Sequence, residues 1–276
     1  MWERLVGEHG ADVGSSTVRV YVNKVRDAQR VSVGEVMVRQ FHELGVEAEV
    51  DFGVVHYRVD GELVEGALFV MRLSVSGRSF CGVYRSESQE AFLDGHVRGF
   101  THFGGVPCLV RYDNLKAAVV KVLRGRNRVE TDRFMLLRSH YGFDSFFCRP
   151  GIKGAHEKGG VEGEVGRVRR RYLVPVPKVS SLTALSELIV AGSLTDDDRV
   201  IANRKITVGE HFKQEAPLLS GLPVEVFEVG WRSNHRVDAK ARVSVRGVRY
   251  SVPAGLVHCR VDALVGADTV ELFNGS

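Results

Sequence analysis

From Val46 the chain alternates in a period of two. Ala48, Val50, Phe52 and Val54 are apolar, and Glu49, Asp51 and Gly53 fall between them. That spacing predicts a strand with one apolar face and one carboxylate face. Asp60-Gly61 predicts a hairpin turn between His56–Val59 and Leu63–Leu73, and Ser76-Gly77 a second turn into Ser79–Tyr84. The period then lengthens. Ser86 and Gln89 have the spacing of a capping box ahead of a helix carrying Phe92, Val97, Phe100 and Phe103 on its apolar side, and Gly104-Gly105 ends it. Cys108–Tyr112 reads as a short buried strand and Leu115–Leu123 as a helix. A further helix over about 130–141, a strand near Phe146–Cys148 and a helix from Val161 follow.

Three strands in meander, then alternating helix and strand, is the order of a ribonuclease H-like α/β fold: a mixed sheet flanked by helices. We assign it to residues 45–178. Residues 1–30 read as part of a helix-turn-helix, from Trp2, Leu5 and Val6 at helical spacing and Ser15-Ser16-Thr17 as N-caps before Val18 to Val22. Residues 179–240 read as a helical and irregular linker that begins with a helix over Leu182–Ala191. Residues 241–276 read as a small β-barrel, with strands Arg242–Val245, Val248–Val252, His258–Ala263 and Thr269–Phe273.

Composition narrows the class. A chain of 276 residues, 44% hydrophobic, buries a full core. The formal net charge of +4 is unevenly placed: Arg149 to Lys178 holds eight Lys or Arg against three Glu, so the remainder is near neutral. Such a cluster suits a polyanion, and it equally suits a solvated helix face. Cys81, Cys108, Cys148 and Cys259 lie far apart in apolar runs without zinc spacing, which predicts buried free thiols in a reducing cytosol. No leader pattern and no apolar run of membrane-spanning length is evident, so a cytoplasmic location is expected.

The candidate chemistry rests on three acidic residues, each in a different local setting. Asp51 lies inside a strand, Asp113 ends a strand in Tyr112-Asp113-Asn114, and Glu162 opens a basic helix in Lys158-Gly159-Gly160-Val161-Glu162. Separations of 62 and 49 residues let separate elements bring them together, as a site for two divalent ions in phosphodiester chemistry needs. Each has a plain alternative. Asp51 also suits the wet face of an edge strand, Asp113 an N-cap, and Glu162 a favourable partner of the helix dipole. Glu157 and Glu164 compete for the third place. On a helix Glu164 sits about 200° from Glu162, so the two cannot face one site.

At these residues the chain resembles the DDE transposases and retroviral-type integrases, and within them the IstA-type transposases of the insertion-sequence-twenty-one family. Asp51 matches the first aspartate of the family's triad, Asp113-Asn114 the second, and the segment from Lys158 to Glu162 the motif that carries the glutamate. Arg204, Glu210, Phe212, Glu215, Leu218 and Leu222-Pro223 resemble the family's post-catalytic linker, and Tyr250-Ser251-Val252-Pro253 its terminal barrel. The resemblance departs at Glu49, where relatives commonly carry Gln. It implies catalytic and metal-binding roles for Asp51, Asp113 and Glu162 with two Mg²⁺ (Mn²⁺ substituting). It also implies cleavage at transposon ends, strand transfer of a 3′-hydroxyl into double-stranded target DNA, a helper AAA+ ATPase, and assembly of several copies on DNA in the bacterial cytoplasm. Lys153, Lys158, Arg167, Arg169, Arg170 and Arg171 bracket Glu162 and are the expected DNA-backbone contacts. Arginine stems covering apolar surface are the alternative for them.

Overall fold

The computed structural model describes residues 42–112, 118–122, 128–148, 159–201 and 204–274, with parts of 6–25. The chain forms two compact units, Met1–Phe41 and His42–Ser276. In the first, residues 16–18 and 23–25 are helical, and the helix-turn-helix expected over 1–30 rests mostly on residues outside the described ones.

In the second unit, β1 (Glu47–Val59), β2 (Glu62–Leu73) and β3 (Ser79–Tyr84) form an antiparallel meander. Asp60 and Gly61 turn the first hairpin with φ of 51° and 85°, the pair of positive angles that a tight two-residue turn requires. Helix α1 (Gln89–Phe103) leads to β4 (Leu109–Tyr112), a small hairpin of β5 (Val119–Val122) and β6 (Arg128–Glu130), helix α2 (Asp132–Tyr141) and β7 (Asp144–Phe147). Strands β4 and β7 join β1 in parallel, so the sheet order is β3-β2-β1-β4-β7. That order and those directions are ribonuclease H-like, as the pattern of elements predicts.

Two local expectations change. The cap of α1 is Ser88, whose hydroxyl accepts from the Ala91 amide; Ser86 lies too far ahead of the first turn to reach it. The helix expected over Leu115–Leu123 is replaced, over the described residues, by β5. Val119, Val120 and Val122 are β-branched and gain a partner strand, which outweighs local helix propensity.

The sheet is covered on both faces. Val50, Phe52, Phe69, Met71 and Tyr84 pack under α1 and α2 with Phe92, Phe100, Phe134 and Leu137. Val55, Leu68, Val70 and Cys81 pack on the other face against Val161, Val165 and Val168 of α3 (Gly159–Tyr172) and Leu185 and Ile189 of α4 (Leu182–Thr195). Helix α4, which sequence reading places in a linker, therefore closes the second core. The chain after it stays on the domain. Helix α5 (Val208–Glu215) ends at Glu215, whose fully buried carboxylate accepts from the amides of Gly45 and Ser76 at 3.2 and 3.0 Å.

At the C-terminal end, β8 (Trp231–Arg236), β9 (Arg242–Val245), β10 (Val248–Ser251), β11 (Arg260–Val265) and β12 (Val270–Phe273) form two sheets, β10-β9 and β12-β11-β8. Among the described residues they share one valine-rich core (Val237, Val243, Val245, Val261, Ala263, Val265) without closing into a continuous ladder. The strand set begins at Trp231, ten residues before the expected boundary. Trp-Arg-Ser-Asn-His-Arg has no apolar alternation and stays largely exposed, so its pairing with β11 leaves no hydrophobic signature. These sheets are tied to the central domain by Arg246, whose guanidinium meets the buried Glu90 of α1 at 2.6 Å.

All four cysteines are free; Cys81 and Cys148 are buried, whereas Cys108 and Cys259 are exposed, contrary to the uniform burial expected. No helix among the described residues is long and apolar enough to cross a membrane.

Candidate active site and nucleic-acid interface

Asp51 lies on β1 opposite Val70 of β2, between two residues that point into the aromatic core. Strand alternation turns it to the other face, where it is half-buried beside α3. Two close contacts fix the helix on this strand. Near its start, the Val161 amide donates to Glu49 Oε2 at 2.7 Å. Further along, Val165 and Arg169 press onto Gly53: a Cβ there would lie 2.6 Å from Val165 Cγ1 and 3.0 Å from Arg169 Nη2. Asp51 sits midway between Glu49 and Gly53 on the same face, so α3 runs past it. Val161, Val165 and Val168 form the buried stripe of α3, and Glu162, next to Val161, is exposed at the edge of that stripe.

Gly53→Ala should therefore destabilise the protein by about 1–3 kcal/mol, because the new methyl has no room without displacing α3. Thermal denaturation checks this; a variant as stable as the parent would show that α3 does not press on β1.

Asp113 lies outside the described residues, as do Glu157, Lys153 and Lys158. The residue before Asp113, Tyr112, ends β4 and pairs in register with Val50, the residue before Asp51. A buried histidine holds that strand end. His96 Nδ1 is 2.7 Å from the Phe92 carbonyl, which can only accept, so Nδ1 carries the proton. Nε2 then accepts from the Tyr112 hydroxyl at 2.8 Å. Burial pushes the His96 pKa down to about 4, so the ring is neutral among Phe69, Phe92, Phe134 and Phe143.

Glu164 faces away from Glu162 into the protein, 4% exposed. It accepts from Ser79 Oγ at 2.7 Å and pairs with Arg167 at 2.7 Å and Arg199 at 3.0 Å. Burial alone would raise its pKa, but the hydrogen bond and charge of Arg167, with Arg199 and Ser79, hold it below the usual carboxylate range. Asp196, from the short 3₁₀ turn after α4, completes the network: it pairs with Arg167 at 2.6 Å and Arg171 at 3.2 Å and accepts from the Tyr172 hydroxyl at 3.0 Å.

The arginines of this helix, expected to contact a DNA backbone, thus have internal partners in part. Asp196 lies 29 residues along the chain from Arg167, beyond the reach of local counting, yet the fold brings it to the helix. Arg167 is committed to the interior. Arg169 is part-buried against Gly53, Arg171 is half-exposed despite its partner, and Arg170 is exposed. Tyr172 spends its hydroxyl on Asp196 and its ring against Gly192.

A second group of carboxylates lies on the Asp51 face. His42, Glu47 and Glu49 offer ligand atoms within 4.8 Å of one another. Each is already engaged: Glu47 with Arg111 at 2.9 Å, His42 at 3.3 Å and Ser74 Oγ at 3.2 Å, and Glu49 with the Val161 amide. Burial would raise Glu47, yet the His42 hydrogen bond and the Arg111 charge hold it low. The period-two series Glu47, Glu49, Asp51 was the available signal that three carboxylates share one face.

Residues 222–276 match the family described as Mu transposase, C-terminal domain. The chain is 31% identical over 226 residues to a transposase for insertion sequences IS1326/IS1353 of Pseudomonas aeruginosa, covering 81% of this chain and 44% of that protein. It is 29% identical over 260 residues to the transposase for insertion sequence element IS21 of the same organism, covering 92% of this chain and 64% of that one. Among solved structures it is similar to the HTLV-2 integrase catalytic core domain in complex with magnesium. That likeness has 16% identity and a TM-score of 0.45, over 63% of this chain and 99% of the other. The chain spans about half the length of the curated relatives it matches. With a ribonuclease H-like sheet, a terminal segment that matches the Mu transposase C-terminal family and sequence similarity along most of its length, the chain is similar to the IS21-type transposases.

Proposed function

We propose that the chain is the catalytic part of a DNA transposase, and that Asp51, Asp113 and Glu162 form its reaction centre. The observation that carries this reading is the path of α3 along β1, which brings the turn bearing Glu162 beside the strand bearing Asp51, while the competing Glu164 is spent on Arg167 and Arg199. The donor set fits a hard divalent cation such as Mg²⁺. Asp51 and Glu162 are oxygen donors, one half-buried and one exposed, and the more deeply buried carboxylates nearby are neutralised by arginine or a backbone amide. When bound, a pair of such ions lowers the pKa of the attacking hydroxyl and stabilises the leaving oxygen.

The residues of the chain supply position. Asp51 and Glu162 would hold, from two sides, the cations on which one phosphodiester is seated, with the hydrophobic stripe of α3 fixing their spacing. In the first step water attacks phosphorus, the bond to the 3′ oxygen breaks and a 3′-hydroxyl is released. In the second that hydroxyl attacks a target phosphodiester, forming one P–O bond as another breaks, without a covalent protein intermediate. Arg169, Arg170 and Arg171, with Lys153 and Lys158, would form a cationic rim that offsets repulsion between carboxylates and the DNA backbone. Arg167 is left out of this rim because Glu164 and Asp196 hold it. A helper AAA+ ATPase and assembly of several copies on paired ends complete the proposal.

Incubating the protein with labelled element ends, target DNA and Mg²⁺ tests the reading. Joined product is expected. Cut but unjoined ends would indicate a hydrolytic nuclease, and binding alone a remnant without chemistry. Binding to DNA should weaken steeply with salt, and Arg170→Ala should lower the log–log slope by about one, equally for unrelated sequences. A slope unchanged in the Arg170→Ala, Arg171→Ala double variant would move the DNA path elsewhere.

A further inference from the structure

Glu49 is a charged side chain with 4% exposure, flanked on β1 by the buried Ala48 and Val50. Leaving such a carboxylate without a partner would be costly, so its position demands an account. Its partner is the first turn of α3. Glu49 Oε2 accepts from the Val161 amide at 2.7 Å, one of the amides that the start of a helix cannot satisfy from within. The negative charge also lies at the positive end of the helix dipole. Glycine permits the approach: a Cβ on Gly160 would lie 2.6 Å from Glu49 Oε2 and 2.5 Å from Arg72 Nη1. Arg72 is the residue directly across the ladder from Glu49 and is itself 8% exposed. Two charged side chains in register on β1 and β2 thus form a seat, and Gly160 lets the helix settle onto it.

The place of this seat gives it meaning. Glu49 lies two residues before Asp51 on the same strand face, and Val161 lies one residue before Glu162. We infer that Glu49 is a positioning residue: its carboxylate locks the start of α3 to β1 and so sets the distance between Asp51 and Glu162. It acts through the Val161 amide, which Glu49 Oε2 holds at 2.7 Å. The other contact, Val165 on Gly53, limits how closely the helix can lie but does not fix its slide along the strand. A hydrogen bond to one named amide does. This inference rests on the metal-site reading proposed above.

The test compares Glu49→Ala, which removes the acceptor, with Glu49→Gln, which keeps an acceptor oxygen but not the charge. Three quantities are read on the full chain: Mn²⁺ affinity by titration of the free-ion spectrum, hydrogen exchange of the amides at 160–163, and melting temperature without metal. Glu49→Ala should weaken Mn²⁺ binding about tenfold or more, as loss of a residue that orients a ligand does, and should speed exchange at Val161. Glu49→Gln should stay within about threefold of the parent in both. Mn²⁺ affinity unchanged in Glu49→Ala, with Val161 exchange accelerated, overturns the inference, because the helix start would then be free without consequence. Equal losses in Glu49→Gln and Glu49→Ala also overturn it, since the charge and not the hydrogen bond would be what matters. Should Glu49→Ala fail to fold, Gly160→Ala lifts the same turn while leaving Glu49 in place. The same loss of affinity is expected there, and an unchanged affinity counts against the inference. Asp51→Asn and Glu162→Gln run alongside. If both bind Mn²⁺ like the parent, the metal-site reading itself fails and takes the functional half of this inference with it, while the amide exchange still reports whether Glu49 anchors the helix.

Discussion

Glu162→Gln should abolish strand transfer yet leave folding intact, and Glu164→Ala, two residues away, should do the reverse. Glu162 is exposed, so its neutralisation removes no packing and no buried partner. Loss of one carboxylate from a site that stabilises several kcal/mol of developing charge should cost about a thousandfold in rate. Glu164 anchors α3 from inside. Removing it leaves the part-buried Arg199 without that partner and Arg167 with Asp196 alone. Breaking a buried pair of this kind costs about 3–5 kcal/mol, which for a domain of this size is a fall in melting temperature of roughly 10 °C. Both variants need only a melting curve and a joining assay. If Glu162→Gln melts far below the parent, or Glu164→Ala melts with it, the roles of the two glutamates are exchanged and α3 is rotated relative to the site.

Acidification should unfold the protein well before its carboxylates are fully protonated. His96 is fully buried and its pKa falls from 6.5 to about 4, chiefly because burial disfavours the charged ring. The folded state therefore binds this proton less readily than the unfolded chain. Above pH 6.5 both states are neutral at this group and its contribution is fully present. Between pH 6.5 and 4 the unfolded chain takes up the proton alone, and about 3 kcal/mol is lost. His102 is shifted in the same direction to about 4, by burial and then by the charge of Arg78, and adds to the loss. Glu164 acts lower: its pKa is held below 4.5, so its contribution is present above that value and disappears as pH falls through the lowered one. Urea midpoints measured from pH 7.5 to 4.5 should decline throughout, and the His96 ring followed by NMR should stay neutral over the range. A flat stability profile, or a His96 ring titrating near 6.5 in the folded protein, would contradict the buried neutral tautomer. Because Tyr112 donates to that ring, protonation would also release the strand end that precedes Asp113.

Much of this was legible in the chain. Alternation in β1, the Asp60-Gly61 turn, the apolar stripe of α1 and the alternating order after β3 each depend on local periodicity, which is why they could be read without a structure. Asp51 stood out as a charged residue in an apolar strand, and the basic helix was placed from Val161, two residues after its start at Gly159. What failed locally failed for identifiable reasons. Val119–Val122 became a strand because β6 supplied a partner, and Trp231–Arg236 was hidden because its polar sequence pairs without burying a face.

The sequence by itself determined the sheet, the order of its strands, the helices that cover it and the residue types available for chemistry. Each of those follows from hydrophobic periodicity and turn residues a few positions apart. Only the tertiary structure decided which charges are spent. Glu164 with Arg167 and Arg199, Asp196 with Arg171, Glu47 with Arg111 and Glu49 with the Val161 amide join positions from 3 to 112 residues apart. Most of these partners meet only when α3, α4 and the segment after them close over the sheet. A carboxylate becomes a structural anchor or a candidate for catalysis according to what lies opposite it once water is excluded, and long-range packing decides that.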